Sequence, residues 1–429
     1  MSMILKCIEC SKEYSFNKIR YECDCGGLLD VVHDIEQVKE VVSKDLFDKR
    51  LGSRAFPYFS GVWRYKELIL PIDNKYIITR PEGNTNLYNS KKVADYACIK
   101  VKNLFLKHEG ENPTGSFKDR GMTTGTTMAK LLNSKIVACA STGNTSASMA
   151  AFASVGNLKA IVFIPEGKIA FGKLSQALAY GASTIQIKGN FDDAMALVKD
   201  ASLELNLYLL NSVNPFRLEG QKSIIIEMLH QLNWEVPDWI IVPGGNLGNS
   251  SAFGKALNEL REIDFIDHLP RIAVIQAEGA NPLYLSYLNE FERYIPVKNP
   301  ETIATAIKIG NPVNYKKAVR AIRWTNGIVE QVSEDEIMNA KAIVDGAGIG
   351  AEPASCSTIA GLKKLITKGI IKEDEKVCCI LTGNLLKDPD ATVNYHMKKL
   401  DGFDIKFANE PITCDADLDS VKKVLKRIL

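Results

Sequence analysis

The chain has 429 residues, of which 46% are hydrophobic and 24% are charged. This balance is typical of a globular protein, and the length predicts two lobes rather than one small core. Because 53 Lys and Arg residues are offset by 51 Asp and Glu residues, there is no overall positive field to attract nucleic acid, and we expect no nucleic-acid partner.

The apolar runs in the sequence are short. None reaches the roughly 18 residues that a membrane span requires, and the first six residues become charged too early for a signal peptide. We therefore expect no membrane association and a cytoplasmic location.

The N-terminal segment is distinguished by its cysteines. Cys7 and Cys10 are separated by two residues, whereas Cys23 and Cys25 are separated by one residue and followed by two glycines. Four thiolates at such spacing would close a tetrahedral zinc site, although the second pair departs from the usual C-x2-C pattern. We predict a small cysteine knuckle without a catalytic role. A structural zinc ion and a metal-free ribbon are the two alternatives.

From about residue 100, short apolar runs alternate with segments of helical period. The predicted strands are residues 136–140, 160–164, 185–187, 207–210, 239–242, 272–275 and 377–381. Such alternation predicts parallel sheets covered on both faces, with functional loops after the carboxyl ends of the strands. Cys139, Cys378 and Cys379 fall inside these runs, so we expect them to be reduced core residues.

Residues 107–122, KHEGENPTGSFKDRGM, place Lys118 at the start of a predicted helix. The helix dipole disfavours a cation there, which lowers the pKa of the lysine and favours a neutral amine able to form a Schiff base. A phosphate-binding P-loop requires glycine before the lysine and Ser or Thr after it, and Phe117 and Asp119 break that rule. On this segment alone, an ordinary surface lysine remains the alternative.

Two loops that follow predicted strands are typical of anion-binding sites. Residues 141–148, STGNTSAS, open a helix with hydroxyls and a glycine, and the Asn144 amide can donate to a phenolate oxygen. A simple capping turn is the alternative. Residues 243–249, PGGNLGN, allow the backbone to approach a phosphate closely. This segment is not G-x-G-x-x-G, which disfavours a dinucleotide.

Two further segments supply polar side chains at the ends of predicted strands. Arg217 has a guanidinium suited to bidentate binding of a phosphate or carboxylate, with a structural ion pair to Glu219 as the alternative. Thr382 directly follows the last predicted strand, and its hydroxyl there could form a hydrogen bond with the ring nitrogen of a bound ligand.

Together these segments resemble the threonine synthase branch of the fold type II pyridoxal-phosphate enzymes. The resemblance covers about residues 55–395. Its most specific marks are NPTGSFKDRG at 112–121, STGNTSAS at 141–148, NPFRLEGQK at 214–222, TIATAIKIGNP at 302–312, EPAS at 352–355 and LKDPD at 386–390. The chain departs from the pattern at Asn86, where relatives usually have proline, and at residues 384–385, where His-Gly is common.

The resemblance implies an α/β fold of two interwoven, open parallel-sheet lobes, like that of the tryptophan synthase β-subunit. We expect residues 51–110 and 211–395 to form a large cofactor-binding lobe and residues 111–210 to form a small mobile lobe. An N-terminal cysteine-containing extension, residues 1–50, and a C-terminal extension, residues 396–429, would flank them. We also expect a homo-oligomer, with the dimer as the predicted state.

The resemblance further implies that pyridoxal 5'-phosphate is the cofactor and that Lys118 forms the internal aldimine with it. Asn144 would meet the phenolic oxygen of the cofactor, and Thr382 would face its pyridine nitrogen. The implied cofactor-phosphate residues are Gly245, Asn246, Leu247, Gly248 and Asn249. The implied substrate-phosphate residues are Ser141, Thr142, Ser212, Arg217 and Asn246.

The activity that the resemblance implies is the conversion of O-phospho-L-homoserine and water to L-threonine and phosphate. The alternatives are a threonine or serine dehydratase, a synthase that replaces the phosphate of O-phosphoserine, such as a cysteine or cysteate synthase, and a non-catalytic sensor of an amino acid or of the cofactor. Arg217 and the two anion loops favour a phosphorylated substrate, and the intact Lys118 favours an enzyme over a sensor.

Overall fold

The computed structural model describes residues 2–166, 171–189, 191–205 and 207–428. The strands are β1 (Met3–Cys7), β2 (Glu13–Tyr14), β3 (Leu29–His33), β4 (Leu87–Tyr88), β5 (Leu104–His108), β6 (Ile136–Ala140), β7 (Lys159–Pro165), β8 (Ser183–Ile187), β9 (Tyr208–Leu209), β10 (Trp239–Pro243), β11 (Arg271–Ala277), β12 (Ile328–Val332) and β13 (Val377–Leu381).

The helices alternate with these strands over most of the chain. They are α1 (Ile35–Val41), α2 (Lys44–Lys49), α3 (Lys66–Ile69), α4 (Lys91–Ala97), α5 (Lys118–Leu131), α6 (Asn144–Val155), α7 (Phe171–Ala179), α8 (Phe191–Glu204), α9 (Pro215–Gln231), α10 (Gly248–Glu262), α11 (Pro282–Tyr287), α12 (Tyr315–Trp324), α13 (Glu334–Asp345), α14 (Pro353–Thr367), α15 (Pro389–His396) and α16 (Leu418–Ile428). Short 3-10 turns occur at Trp63–Tyr65, Asn74–Tyr76, Val101–Asn103, Glu109–Glu111, Glu278–Ala280, Thr305–Ile307 and Leu385–Lys387.

The largest sheet has the strand order β12-β11-β10-β13-β5-β4. Its strands are parallel except β4, which pairs antiparallel with β5. Along β10, Ile240 and Val242 pack into one hydrophobic core, while Trp239 and Ile241 pack into another on the opposite face. Both faces of the sheet are therefore covered, which explains why its central strands read as uninterrupted apolar runs.

A second, smaller parallel sheet has the order β8-β7-β6-β9. A third sheet, near the N-terminus, is antiparallel with the order β2-β1-β3. The alternation of strands and helices around two parallel sheets confirms the predicted fold class. The exact lobe boundaries predicted above are not tested by this arrangement and stay predictions.

Several predicted elements are confirmed, and others differ at their ends. The strands predicted at 136–140 and 377–381 have those bounds, whereas β9 is limited to Tyr208–Leu209. Helix α9 begins at Pro215, because Asn214 caps it through its side chain and proline is suited to the first helical position. Cys139, Cys378 and Cys379 are buried free thiols, as predicted.

No helix in the described ranges of the chain is long and apolar enough to cross a membrane.

Helices α5 and α9 are held together by a fully buried ion network. Arg120 of α5 donates to Glu109 at 2.6 Å and to Glu227 of α9 at 2.7 Å, and Lys107 of β5 donates to the same Glu227 at 2.6 Å. Burial alone would raise the pKa of Glu227, but Arg120 and Lys107 hold it well below its usual value. At Gly220 of α9, an added Cβ would lie 1.8 Å from the carbonyl oxygen of Arg120, so the two helices touch backbone to backbone.

Replacement of Glu227 by Gln is expected to destabilise the fold by about 3 to 5 kcal/mol, because it leaves Arg120 and Lys107 as buried cations with too little opposing charge. The measurement is the thermal and urea midpoint of the variant relative to the unaltered chain. Glu235→Gln is the matched control, since the Glu235 side chain is 68% exposed in its pair with Lys376, and it should cost at most about 1 kcal/mol. Equal midpoints for the two variants would contradict a central role of the network.

Candidate active site

The turn that carries Lys118 is joined to the end of β13. The backbone N–H of Phe117 donates to the Thr382 carbonyl at 3.0 Å, and the N–H of Asn384 donates to the Gly115 carbonyl at 2.9 Å. Lys118 is the first residue of α5. The structure therefore places the lysine at the carboxyl edge of the large sheet, where α/β proteins bind their ligands.

Asp119 ties the same turn to helix α6. Its carboxylate accepts hydrogen bonds from the backbone and the hydroxyl of Thr114, at 2.7 and 2.6 Å, and from the hydroxyl of Ser148 at 2.5 Å. Ser148 belongs to α6, which opens with Asn144. The lysine turn and the STGNTSAS loop are therefore fixed to each other by one buried carboxylate.

The Lys118 amine lies 4.1 Å from the centroid of the Phe117 ring, and within the described ranges it forms no ion pair with a carboxylate. Burial, and secondly the nearby Arg217 guanidinium, lower the pKa of Lys118 to about 7, with Glu352 acting in the opposite direction. The helix dipole was the predicted cause of this lowered pKa, whereas in the structure loss of solvent is the main cause. About half of the amine is neutral near pH 7, as a nucleophile and base requires.

Arg217 is a buried cation whose charge is not balanced by a carboxylate within the described part of the chain. Its side chain donates to the Leu210 carbonyl at 2.8 Å, and its Nε has no hydrogen-bond partner there. Glu219, which was the alternative partner, pairs instead with Lys222 at 2.6 Å and Lys255 at 2.8 Å. Burial lowers the pKa of Arg217 to about 10, so the guanidinium stays charged at neutral pH. A buried, uncompensated guanidinium is costly unless an anion binds beside it.

The glycine-rich loop after β10 forms a second anion-binding cradle. Leu247 adopts the left-handed conformation with φ 62°, after which α10 begins at Gly248. Nearby, Asn249 Oδ1, Ser250 Oγ and Gln221 Oε1 are buried with no hydrogen-bond partner among the described residues. An added Cβ at Gly248 would lie 3.1 Å from Gln221 Oε1, so these groups face the start of α10. The free N–H groups of this helix start and the unpaired Ser250 hydroxyl are donors that fit a phosphate, whereas the two amide oxygens are acceptors.

The loops from the two parallel sheets are connected by Asn314. Its Nδ2 donates to the Ser212 carbonyl at 3.1 Å, and its backbone N–H donates to the Asn246 carbonyl at 3.3 Å. On the other side, Asn211 exchanges two side-chain hydrogen bonds with the backbone of Ala140, the residue before Ser141. These hydrogen bonds link the loops that carry Ser141, Ser212 and Asn246. Thr142 follows Ser141 and is partly buried.

Asn144 and Thr382 meet at a buried carboxylate, Glu352. Asn144 Nδ2 donates to Glu352 Oε2 at 3.1 Å, and the Thr382 hydroxyl donates to Glu352 Oε1 at 3.3 Å. Burial raises the pKa of Glu352, while the bond from Asn144 opposes that shift. An added Cβ at Gly383 would lie 2.4 Å from this carboxyl group, so a larger residue there would displace the Glu352 side chain.

Glu352, Gln221 and Asn314 are residues to which the sequence argument assigned no role. Glu352 opens the EPAS motif immediately before the N-terminal proline of α14, and that position is a signal that could have drawn attention to it. Gln221 lies one helical turn after Arg217 on α9. Asn314 has no comparable local signal, because its function is to connect loops that are far apart in sequence.

The site has the groups that pyridoxal phosphate requires. It combines an amine of lowered pKa, a glycine-rich helix start with an unpaired buried hydroxyl for a phosphate, and amide and hydroxyl groups for ring substituents. A separate buried guanidinium is available to a second anion. This donor set is that of a cofactor-dependent enzyme acting on an anionic substrate.

Residues 78–383 match the protein family described as pyridoxal-phosphate dependent enzymes. This match covers more than half of the chain, and the chain belongs to that family. Pyridoxal phosphate is therefore its cofactor, and the fold type II architecture predicted from the sequence is confirmed.

Within this family the chain groups with the threonine synthases, which are lyases. It is 48% identical over 427 residues to the threonine synthase of Methanocaldococcus jannaschii, covering 99% of this chain and 100% of the relative. It is 44% identical to the threonine synthase of Methanosarcina acetivorans, with 98% of each chain covered. The crystal structure of threonine synthase from Escherichia coli shares the fold, with a TM-score of 0.65 over 99% of this chain and 100% of that chain at 18% identity.

The lowered pKa of Lys118 predicts how the apoenzyme reacts with pyridoxal phosphate. The rate should rise from about pH 6 to about pH 8 as the amine loses its proton and should level off above that range. Arg217→Gln should shift this profile to higher pH, because a cation that disfavours the protonated amine is removed. Stopped-flow absorbance across the pH range measures both profiles. A flat rate for the unaltered chain, or an unshifted profile for the variant, would contradict the electrostatic argument.

Proposed function

We propose that the chain converts O-phospho-L-homoserine and water to L-threonine and inorganic phosphate. The observation that carries this proposal is that Lys118 and Arg217 lie near each other. Lys118 is a buried amine of lowered pKa, and Arg217 is a buried guanidinium with no carboxylate partner in the described ranges. A dehydratase acting on threonine or serine has no substrate phosphate to neutralise that guanidinium. Membership of the family and full-length similarity to threonine synthases support the same activity.

The residues proposed to hold the cofactor come from four segments: the Lys118 turn, the start of α6, the glycine-rich loop after β10 and the end of β13. Lys118 would bind its carbonyl carbon, Asn144 would donate to the phenolic oxygen, and Thr382 would face the ring nitrogen. Gly245, Asn246, Leu247, Gly248 and Asn249 would hold its phosphate. Supporting this assignment, the Ser250 hydroxyl is buried without a partner in the described structure at the start of α10, where it can donate to a phosphate. When bound, pyridoxal phosphate supplies a carbonyl that condenses with amines and a ring that accepts an electron pair.

Lys118 is the proposed proton carrier. With the substrate amine held by the cofactor, the free neutral lysine would remove the proton from Cα of the substrate, release that proton to the electron-accepting cofactor, and then remove a proton from Cβ. Loss of the Cβ proton allows the phosphate to leave from Cγ. Protonation at Cγ, addition of water at Cβ and return of a proton to Cα complete the conversion, and the balance is one water consumed and one inorganic phosphate released.

Arg217 is the proposed anchor of the substrate phosphate, together with Ser141, Thr142, Ser212 and Asn246. The hydrogen bonds by which Asn314 holds the loops of Ser212 and Asn246 together support this assignment. Anion binding beside Arg217 also favours the protonated form of Lys118, since it offsets the positive charge that lowers its pKa. Substrate binding and proton uptake by the lysine are therefore coupled.

Glu352 is proposed to control the protonation of the cofactor ring through Thr382. The Thr382 hydroxyl contacts both Glu352 and the Ser355 hydroxyl, the latter at 3.1 Å. Since burial raises the pKa of Glu352, the carboxyl group can exist in its neutral form there. A neutral partner at this end keeps the ring from carrying a full positive charge, which restrains side reactions of the substrate carbanion.

The homodimeric state, the cytoplasmic location and the division into a large and a small mobile lobe remain predictions. Light scattering coupled to size-exclusion chromatography measures the first of these.

The proposed activity predicts which substrate releases phosphate. Purified holoenzyme should release phosphate from O-phospho-L-homoserine and form threonine, with little release from O-phosphoserine and no ammonia from threonine. Borohydride reduction should trap the cofactor on Lys118, and Lys118→Ala should be inactive and give no adduct at that position. Turnover of O-phosphoserine or threonine without turnover of O-phospho-L-homoserine would overturn the assignment in favour of a β-replacement synthase or a dehydratase.

Arg217→Ala is expected to lower kcat/KM for O-phospho-L-homoserine about 100-fold, because a hydrogen bond to a charged group contributes roughly 2 to 3 kcal/mol. Cofactor absorbance should stay unchanged, which separates loss of substrate binding from loss of cofactor. Arg323→Ala is the control, since Arg323 is exposed on α12 and its loss should leave the kinetics unaltered. Wild-type kinetics for Arg217→Ala would assign that arginine a structural role.

A further inference from the structure

The cysteine knuckle, residues 7–25, brings four sulfur atoms to the corners of a small volume. Cys7 Sγ lies 3.6 Å from Cys25 Sγ, and Cys10 Sγ lies 3.5 Å from both Cys23 Sγ and Cys25 Sγ. All four sulfur atoms lie within 4.8 Å of one another. Zinc–sulfur bonds of about 2.3 Å in a tetrahedron place neighbouring sulfurs about 3.8 Å apart. The sulfur spacing is therefore that of a tetrahedral site, and it is well beyond the roughly 2.05 Å of a disulfide.

The backbone of the knuckle adapts to the shortened second cysteine pair. Gly26 has φ 80°, a conformation that favours glycine, and its N–H donates to the Cys23 carbonyl at 2.8 Å. At Gly27 an added Cβ would lie 2.7 Å from Cys7 Sγ, so the backbone passes directly against the sulfur cluster. The two glycines after Cys25 thus allow a C-x-C pair to complete a site that usually uses C-x2-C.

Polar hydrogens point at the sulfur atoms from their surroundings. The backbone N–H of Glu9 donates to Cys7 Sγ at 3.4 Å, and the Tyr14 hydroxyl lies 3.0 Å from Cys23 Sγ. The Asp24 N–H donates to the oxygen of that hydroxyl at 3.1 Å, which leaves the Tyr14 hydrogen free to face the sulfur. Such donors stabilise thiolates and are the outer shell that a metal–thiolate site requires.

We propose that Cys7, Cys10, Cys23 and Cys25 bind one Zn²⁺ ion in a closed structural site. Four sulfur ligands in tetrahedral arrangement favour zinc or iron, and zinc is the usual ion when all four positions are filled by one small fold. Binding converts the thiols to thiolates, and their protons pass to solvent. No coordination position is left for a substrate, so the ion has a structural function.

Together with β3, the knuckle bridges the smaller parallel sheet and helix α12, which gives the proposed ion a function beyond the N-terminal sheet. Between its cysteine pairs, the Tyr21 hydroxyl accepts a hydrogen bond from the Leu209 N–H of β9 at 2.6 Å. Just beyond, Asp30 of β3 pairs with Lys317 and Arg320 of α12 at 2.9 and 2.6 Å. Strand β9 leads directly into the loop that carries Ser212. A metal that fixes the knuckle therefore also fixes the start of the proposed substrate-phosphate loop.

The first test is the metal content of purified holoenzyme, measured by inductively coupled plasma mass spectrometry. We expect one zinc per chain in the unaltered protein. The variants Cys10→Ser and Cys25→Ser should lose the zinc, whereas Cys98→Ser and Cys414→Ser, which alter exposed cysteines outside the knuckle, should retain it. Cobalt substituted for zinc should give thiolate-to-metal charge-transfer absorbance that is absent in the first pair of variants.

The second test uses the unaltered protein and so does not depend on variants that fold. Cys10 and Cys25 are exposed, as are Cys98 and Cys414. Exposure alone predicts that all four react with iodoacetamide, whereas metal binding predicts that Cys10 and Cys25 are protected until a chelator is added. Mass spectrometry of the labelled peptides distinguishes the two.

Three outcomes would overturn the proposal. They are a holoenzyme with neither bound zinc nor uptake of added zinc under reducing conditions, bound iron in place of zinc, and equal labelling of Cys10 and Cys98 with or without chelator.

The bridging role is tested by hydrogen exchange at Leu209, which should become faster in zinc-free Cys10→Ser. Unchanged exchange there would overturn the bridging role. Because none of these measurements uses turnover, failure of the proposed function would not affect them.

Discussion

The arrangement of the site depends on the buried ion network that joins helices α5 and α9. Arg120 lies two residues after Lys118, and Glu227 lies in the same helix as Arg217, so a single set of ion pairs fixes the reactive amine relative to the proposed phosphate anchor. Backbone contact at Gly220 leaves little freedom for one helix to slide on the other. The network carries no reactive group, yet it fixes the two helices that carry Lys118 and Arg217.

The contrast between satisfied and unsatisfied charge identifies where ligands bind. In the network, each buried cation meets a carboxylate, whereas Lys118 and Arg217 form no ion pair within the described part of the chain. Two desolvated cations close together raise each other's free energy, and the structure relieves this in part by favouring the neutral amine. A dianion bound beside the two cations would offset the repulsion that remains between them. The site is therefore electrostatically incomplete until substrate and cofactor are present.

The sequence predicted the fold class and the loops of the site because both leave local signals. Alternating apolar runs identify parallel strands, and glycine, hydroxyl and amide residues after those strands identify anion-binding turns. Glu352 was overlooked because its role arises from contacts with Asn144 and Thr382, which are distant in sequence. Likewise, the link that Asn314 makes between two loops, and the antiparallel strand β4 at the edge of the large sheet, depend on tertiary packing that local patterns do not encode.

The carboxylate of Asp119 limits how such a protein can open to admit its reactant. Its bonds to Thr114 and Ser148 are buried, each contributing about 0.5 to 1.5 kcal/mol, so α6 cannot swing away from the lysine turn without breaking them. Helix α6 and the lysine turn therefore form one rigid unit at the site. Opening of the site to the reactant must therefore move elements that this carboxylate does not fasten, while α6 and the lysine turn stay together.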